Sequence, residues 1–233
     1  MITIDRASRI TVDVEDGSFE AHVSWPTDDG GSAPAVIVLQ EIFGVNAFVR
    51  GACDWLAANG FIAAAPDLFW RQSPGVELTE ADRDQAVGLM QGLDQDRAVT
   101  DCAALIERLR AFPKCSGKVG ALGYCLGGKI AYLMAARTSI DAAIAYYGVG
   151  IQSALGEADA VRAPLLLHIA SQDTLCPPAA QEKIVRALAG NATARTETHR
   201  AGHAFARTGS AAYVETSADR ANQHSLAFLA EHL

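Results

Sequence analysis

The chain has 233 residues, half of them hydrophobic and a fifth charged, with a formal net charge of −8 at pH 7. A chain of this length buries roughly 70–75% of its unfolded surface, so it can build a core without disulfide or metal staples. The acidic balance argues against nucleic acid or an anionic membrane as a partner, since both require a basic face. The five cysteines are odd in number and contain no CxxC pair, which argues against zinc or dithiol chemistry.

The segment Met1–Gly17 mixes charges with apolar residues and has no leader core, and no run approaches the ~18 apolar residues of a membrane span. A soluble, reduced, cytoplasmic protein is expected. Phe19–Trp25 alternates like an edge strand that Pro26 ends, and Asp28–Pro34 reads as a turn. Ala35–Leu39 is a continuous apolar run, as in a strand buried on both faces. Phe48–Asn59 reads as a helix closed by Gly60, and Phe61–Ala65 as a strand stopped by Pro66. Thr79–Met90 and Asp96–Phe112 read as helices, the second stopped by Pro113. Lys118–Leu122 is a strand, Leu126–Arg137 a helix and Ala142–Tyr146 a strand. Leu165–Ile169 is a strand, Ala179–Leu188 a helix, Ala192–His199 a strand, and Tyr213–Leu233 holds the last helix. Strands alternating with helices predict an α/β fold with a mostly parallel sheet covered on both faces, as one domain over residues 1–233. In such sheets ligands bind at the carboxyl ends of the strands.

Gly123-Tyr124-Cys125-Leu126-Gly127 is a G-x-C-x-G turn between a strand and a helix. It has the form of a nucleophile elbow with sulfur in place of a hydroxyl. The helix from Leu126 aims its partial positive end at the sulfur, which favours a thiolate. An elbow enzyme carries nucleophile, acid and histidine in that chain order. Asp173 follows the strand Leu165–Ile169, and His203 follows the strand Ala192–His199, so the order holds. His22, His168, His199, His224 and His232 have no such placement, and Cys176 reads as a small loop residue near Asp173.

An oxyanion hole needs two backbone donors: Leu126 N–H, after the nucleophile, and Ile42 N–H, in the loop after the third strand. Glu41 complicates this hole. Two like charges ~4 Å apart cost roughly 4 kcal/mol at an effective dielectric near 20. Glu41 therefore either points away in the reacting complex or acts as a switch.

The blocks LQEIFGVN (Leu39–Asn46), APDLFWRQSPG (Ala65–Gly75), GYCLGG (Gly123–Gly128), YYGVG (Tyr146–Gly150) and AGHAFARTGS (Ala201–Ser210) resemble the dienelactone hydrolases, or carboxymethylenebutenolidases. The resemblance covers nearly the whole chain. It implies the α/β-hydrolase fold, no cofactor and no metal, and hydrolysis of a dienelactone to maleylacetate in chloroaromatic breakdown through chlorocatechols. It implies a triad of Cys125, Asp173 and His203, with Glu41 touching the resting thiol. It also implies that Arg207, four residues after His203, and Arg83 bind the carboxylate of a small anionic lactone, with Arg71 a weaker candidate at the pocket rim. Val87 and Met90 stand where the family places aromatic side chains, so the preferred substituent is left open. A monomer is expected. The alternatives are a broader small-ester or lactone hydrolase on the same scaffold, a non-catalytic binding protein, and a redox thiol paired with Cys176.

Overall fold

Apolar residues at every second position build an antiparallel hairpin from β1 (Ala7–Val14) and β2 (Gly17–Ser24), with Val12 opposite Phe19. The coordinates are a computed structural model that describes residues 7–27 and 31–233. Part of the expected turn at Asp28–Pro34, and residues 1–6 of the N-terminal segment, lie outside the described residues. The chain divides between Val119 and Gly120 into two compact units.

In the first unit, β3 (Ala33–Leu39) pairs in parallel with β4 (Ile62–Pro66), and β4 pairs antiparallel with β2. The strand expected at an edge, Phe19–Trp25, is therefore an interior strand with β1 on one side and β4 on the other. Its outer partner β1 alternates exposed Arg9, Thr11 and Asp13 with Ile10, Val12 and Val14, a half-buried strand pattern that the reading of Met1–Gly17 leaves unassigned. Helix α1 (Ala47–Ala58) is capped by Asn46, whose side chain accepts the Val49 N–H. The expected helix Thr79–Met90 is divided. Thr79 and Asp82 form a reciprocal capping box around a short turn, Glu80–Asp82, and α2 runs Arg83–Gly92. Helix α3 (Gln95–Arg110) starts at the Asp94 cap.

The two faces of β2 are covered by different helices. Ser24 Oγ donates to Asp54 of α1 (2.7 Å), while the Phe19 ring lies 6.1 Å from Trp70, whose Nε1–H donates to Asp101 of α3. Ser24 and Phe19 are an odd number of residues apart, which places them on opposite faces.

The second unit holds four parallel strands in sequential order, β5 (Cys115–Tyr124, joined here from Gly120), β6 (Ala142–Tyr146), β7 (Leu165–Ala170) and β8 (Ala194–His199). Every residue of β6 and β7 is buried, which explains their largely apolar sequence, with His168 the exception in β7. Helices α4 (Leu126–Arg137), α5 (Pro178–Leu188) and α6 (Glu215–His232) complete the unit. A Cβ on Gly120 would meet Leu229 of α6 at 3.3 Å, and one on Gly123 would meet the Gly127 carbonyl of α4. Those glycines are three apart on β5, so α6 and α4 cover opposite faces. The stretch between β6 and β7 contains two short helical turns, Ile151–Ser153 and Leu155–Ala160, that no periodicity announced. No helix among the described residues is long and apolar enough to cross a membrane.

Arg71, a sequence candidate for the pocket rim, is committed to ion pairs within the first unit. Its guanidinium forks onto Asp101 at 2.6 and 3.0 Å, reaches Asp16 at 2.7 and 2.9 Å, and stacks 4.1 Å over the Trp70 ring. Asp101 is only 4% exposed, so losing it removes a buried acceptor from both the Trp70 N–H and the guanidinium, which keeps Asp16. Asp101→Ala should lower unfolding free energy by about 1–3 kcal/mol, read from urea unfolding. A change below about 0.5 kcal/mol would contradict this account of Arg71.

Candidate active site

Strand β5 ends at Tyr124 and helix α4 begins at Leu126, which leaves Cys125 alone on the bend. Its backbone sits at φ 54°, ψ −112°. Such a conformation costs a non-glycine residue about 1–3 kcal/mol, so its surroundings must enforce it. They do so on both sides of the residue. The Cys125 N–H donates to the Tyr146 carbonyl at 3.0 Å, and its own carbonyl accepts from Gly128 and Val149, each at 3.1 Å. The bend also excludes side chains nearby, since a Cβ on Gly123 would lie 2.0 Å from the Gly127 oxygen. Cys125 is 6% exposed. Leu126 is the first residue of α4, and the leading amides of a helix have no carbonyl one turn back to bond. The partial positive charge of that helix end lies beside the sulfur.

Two other non-glycine residues among those described have positive φ, Tyr147 (38°) and Ala204 (62°). Tyr147 directly follows β6, and Ala204 directly follows His203 in the loop after β8. Backbone strain in this unit is thus confined to the carboxyl ends of the parallel strands, beside the predicted residues.

Asp173 and His203 meet. His203 Nδ1 lies 2.8 Å from Asp173 Oδ2, so the imidazole can donate to the carboxylate from that nitrogen and keep Nε2 as a base. The other carboxylate oxygen accepts the Leu175 N–H at 2.8 Å and the Cys176 N–H at 3.3 Å. Asp173 is 3% exposed, so these bonds replace the water that burial removes. The Tyr147 ring stands edge-on to His203, 5.0 Å between centroids, and closes one side of the imidazole. Sequence reading passed over Tyr147. Its signal is positional: it follows β6 in the way that Cys125 follows the neighbouring β5.

Cys176 is buried beside Asp173, which disfavours a thiolate there. Burial, aided by the Asp173 charge, pushes its pKa up to about 11. Arg207 is partly buried in the loop after His203, with its N–H bonded to the Ala204 carbonyl and its carbonyl accepting from Ser210. In the first unit, Glu41 and Ile42 directly follow β3 and are 3% and 8% exposed. Arg83 opens α2, with a side chain 55% exposed and paired to Glu80 at 3.1 Å. No group of three or more His, Cys, Asp or Glu among the described residues could hold a metal ion.

His168 and His199, read as bystanders in the sequence, form a buried chain. His168 Nδ1 lies 3.0 Å from His199 Nε2, His168 Nε2 lies 3.0 Å from Ser225 Oγ, and Ser225 Oγ lies 2.7 Å from the Tyr146 hydroxyl. That hydroxyl also donates to Asn222 Oδ1 at 3.0 Å.

A parallel α/β sheet with a nucleophile elbow at one strand end and an acid–histidine pair at two others is the arrangement of the α/β-hydrolases. A solved structure from Klebsiella pneumoniae superimposes with a TM-score of 0.87 over 97% of this chain and 98% of that one, at 28% identity. A dienelactone hydrolase structure from Anabaena variabilis matches with a TM-score of 0.72 over 98% and 99%, at 17% identity. The family model for the dienelactone hydrolase family matches residues 19–233, and the chain belongs to that family of hydrolases. The carboxymethylenebutenolidase of Pseudomonas putida is 41% identical over 226 residues, covering 95% of each chain. A protein of Azospirillum brasilense is 43% identical over 230 residues, covering 94% of this chain and 96% of its own length.

The buried imidazoles make stability depend on pH. Desolvation, reinforced by the charges of His199 and His224, holds His168 well below its ordinary value, and desolvation also lowers His22 and His199. The unfolded chain accepts protons near pH ~6.5 that the folded protein refuses. Their contribution is whole above that pH and is lost as pH falls below it, by up to ~1.4 kcal/mol per pH unit for each proton. Urea midpoints should fall between pH 7.5 and 5.5. A flat profile would contradict the burial of these rings in the neutral form.

Proposed function

We propose that this hydrolase opens the enol-lactone ring of a dienelactone, 4-carboxymethylenebut-2-en-4-olide, to give maleylacetate during chloroaromatic degradation. The observation that carries the reading is the 2.8 Å Asp173–His203 bond on the loops after β7 and β8, with Cys125 strained on the bend after β5. The 41% identity to the Pseudomonas putida carboxymethylenebutenolidase supports the choice of lactone. The family model runs through the boundary at Val119 and Gly120 unbroken, which supports one α/β-hydrolase domain as the working unit. The enzyme is taken to be a cytoplasmic monomer that works without a cofactor.

In the proposed reaction the Cys125 thiolate adds to the lactone carbonyl, and the Leu126 and Ile42 amides receive the oxyanion. Collapse breaks the ring C–O bond and releases an enolate, a leaving group that needs little acid help, while the acyl group stays on sulfur as a thioester. His203 then draws a proton from water, the hydroxide adds to the thioester, and the thiolate leaves; the imidazolium proton passes to the enolate, and the thiolate recovers its own proton from Glu41. Asp173 holds the imidazole in the tautomer that this step requires. Arg207 and Arg83 are assigned to the substrate carboxylate, because a guanidinium fork matches its geometry. Glu41 is assigned to the resting thiol: it disfavours thiolate until substrate binds, then accepts the thiol proton. For Glu41, Ile42 and Arg83 the support is the sequence resemblance.

Acid-quenched turnover should trap an acyl group on the Cys125 peptide by mass spectrometry, and Cys125→Ala should lose roughly 10³-fold or more in kcat. Full turnover by Cys125→Ala would end the nucleophile assignment. Arg207→Ala should raise KM about tenfold or more for the anionic lactone while sparing a neutral aryl ester. Equal losses on both substrates would favour a broader esterase. Glu41→Gln should abolish substrate-dependent thiol activation, seen as a changed thiol titration. Unchanged titration with full turnover would remove Glu41 from the mechanism.

A further inference from the structure

The chain of side chains from His199 to Asn222 links three strands and one helix. Tyr146 ends β6, His168 lies on β7 directly beside it in register, His199 ends β8, and Ser225 and Asn222 belong to α6. Tyr146, His168, His199 and Ser225 are each at most 3% exposed. Burying four polar groups in a core that could hold aliphatic residues costs stability unless each is bonded, and each is.

The bonds admit one consistent protonation. The Tyr146 hydroxyl spends its hydrogen on Asn222, so Ser225 must be the donor to Tyr146. Ser225 then accepts from His168 Nε2–H, which leaves His168 Nδ1 as an acceptor for His199 Nε2–H. All four bonds run in the same direction, from His199 to Asn222, with both rings neutral. A second proton on His168 would set N–H against N–H.

The backbone of the same residues holds the candidate site. The Tyr146 carbonyl accepts the Cys125 N–H, and the next amide, Tyr147 N–H, donates to the His168 carbonyl at 2.8 Å. The Tyr147 ring faces His203, and the His199 ring stacks on Phe205, two residues beyond His203, with centroids 4.9 Å apart. The His199 carbonyl accepts from Ser171 and Ala201, each at 2.9 Å, in the two loops that carry Asp173 and His203.

We propose that the Tyr146–Ser225–His168–His199 chain is a positioning device that holds the bend bearing Cys125 in register with the loops bearing Asp173 and His203. Tyr146 is its central positioning residue. This inference rests on Cys125 and His203 being the reacting pair. Its energy goes into geometry: a shift of the Tyr146–Tyr147 peptide displaces the nucleophile's amide on one side and the wall of the imidazole on the other, and small misplacements are costly to reaction rates.

The test separates positioning from simple stability. Tyr146→Phe and Ser225→Ala are compared with wild type at a temperature where circular dichroism shows each variant folded. The expected result is a kcat lowered by about tenfold with KM changed less than about twofold, together with a slower iodoacetamide alkylation of Cys125 read on its own peptide. Tyr146→Phe combined with Ser225→Ala should cost no more than the worse single change, because both interrupt one chain. Ser225→Thr, which keeps the hydroxyl, should recover most of the lost rate. If Tyr146→Phe fails to fold, Asn222→Ala, at the chain's half-exposed end, carries the same comparison. Lowered melting temperatures with unchanged kcat and unchanged alkylation would overturn the proposal and leave the chain as a stabilising core feature. The alkylation arm uses no lactone, so an enzyme inactive on dienelactone but slowed in alkylation would sink the substrate assignment alone.

Discussion

The hydrogen bond from the Cys125 N–H to the Tyr146 carbonyl is the constraint on which the second unit's strand ends depend. A cysteine at φ 54° is intrinsically unfavourable, and left alone the chain would relax by turning the thiol away. Relaxation is blocked because β5 and β6 are paired in register up to Tyr124 and Tyr146, and the bend packs so closely that Gly123 has no room for a side chain. The strain is thus shared with a parallel ladder whose every side chain in β6 and β7 is buried.

The surroundings of that bend treat polar groups in two ways. Asp173 is buried and made useful by bonds to both oxygens, two from backbone amides and one with His203. His168 is buried and kept neutral, with both nitrogens occupied, so its role is to join strands rather than to exchange protons. Cys176, three residues from Asp173, is kept a thiol by the same desolvation and the same carboxylate charge. The partial positive end of helix α4 lies beside Cys125, which favours a thiolate there.

The first unit reaches order by other means. Its most connected cation, Arg71, ties Asp16, Asp101 and Trp70 together, and the pattern FWRQSPG by itself does not distinguish that role from a place on a pocket rim. Local chemistry reads the same for both, since a guanidinium fork suits a protein carboxylate as well as a substrate's. The partner that settles it, Asp101, stands thirty residues away on α3.

Sequence alone determined the elements whose signals are local. The continuous apolar strands, the cysteine on its glycine-flanked turn, and the order of nucleophile, acid and histidine were all legible, because burial on two faces and a tight bend leave direct marks on composition. Helix α4 and strand β6 fall within the bounds that the sequence predicts, since an elbow and a fully buried strand tolerate few alternatives. Tertiary structure decided what depends on distant partners. It placed β2 in the interior, since alternation alone does not tell a strand paired on both sides from one paired on a single side. It set the edge of Tyr147 against His203, and it joined Tyr146, His168, His199 and Ser225, which lie up to 79 residues apart in the chain. A hydrogen bond between side chains needs angstrom-scale proximity, and linear spacing carries no record of proximity until the strands are laid side by side.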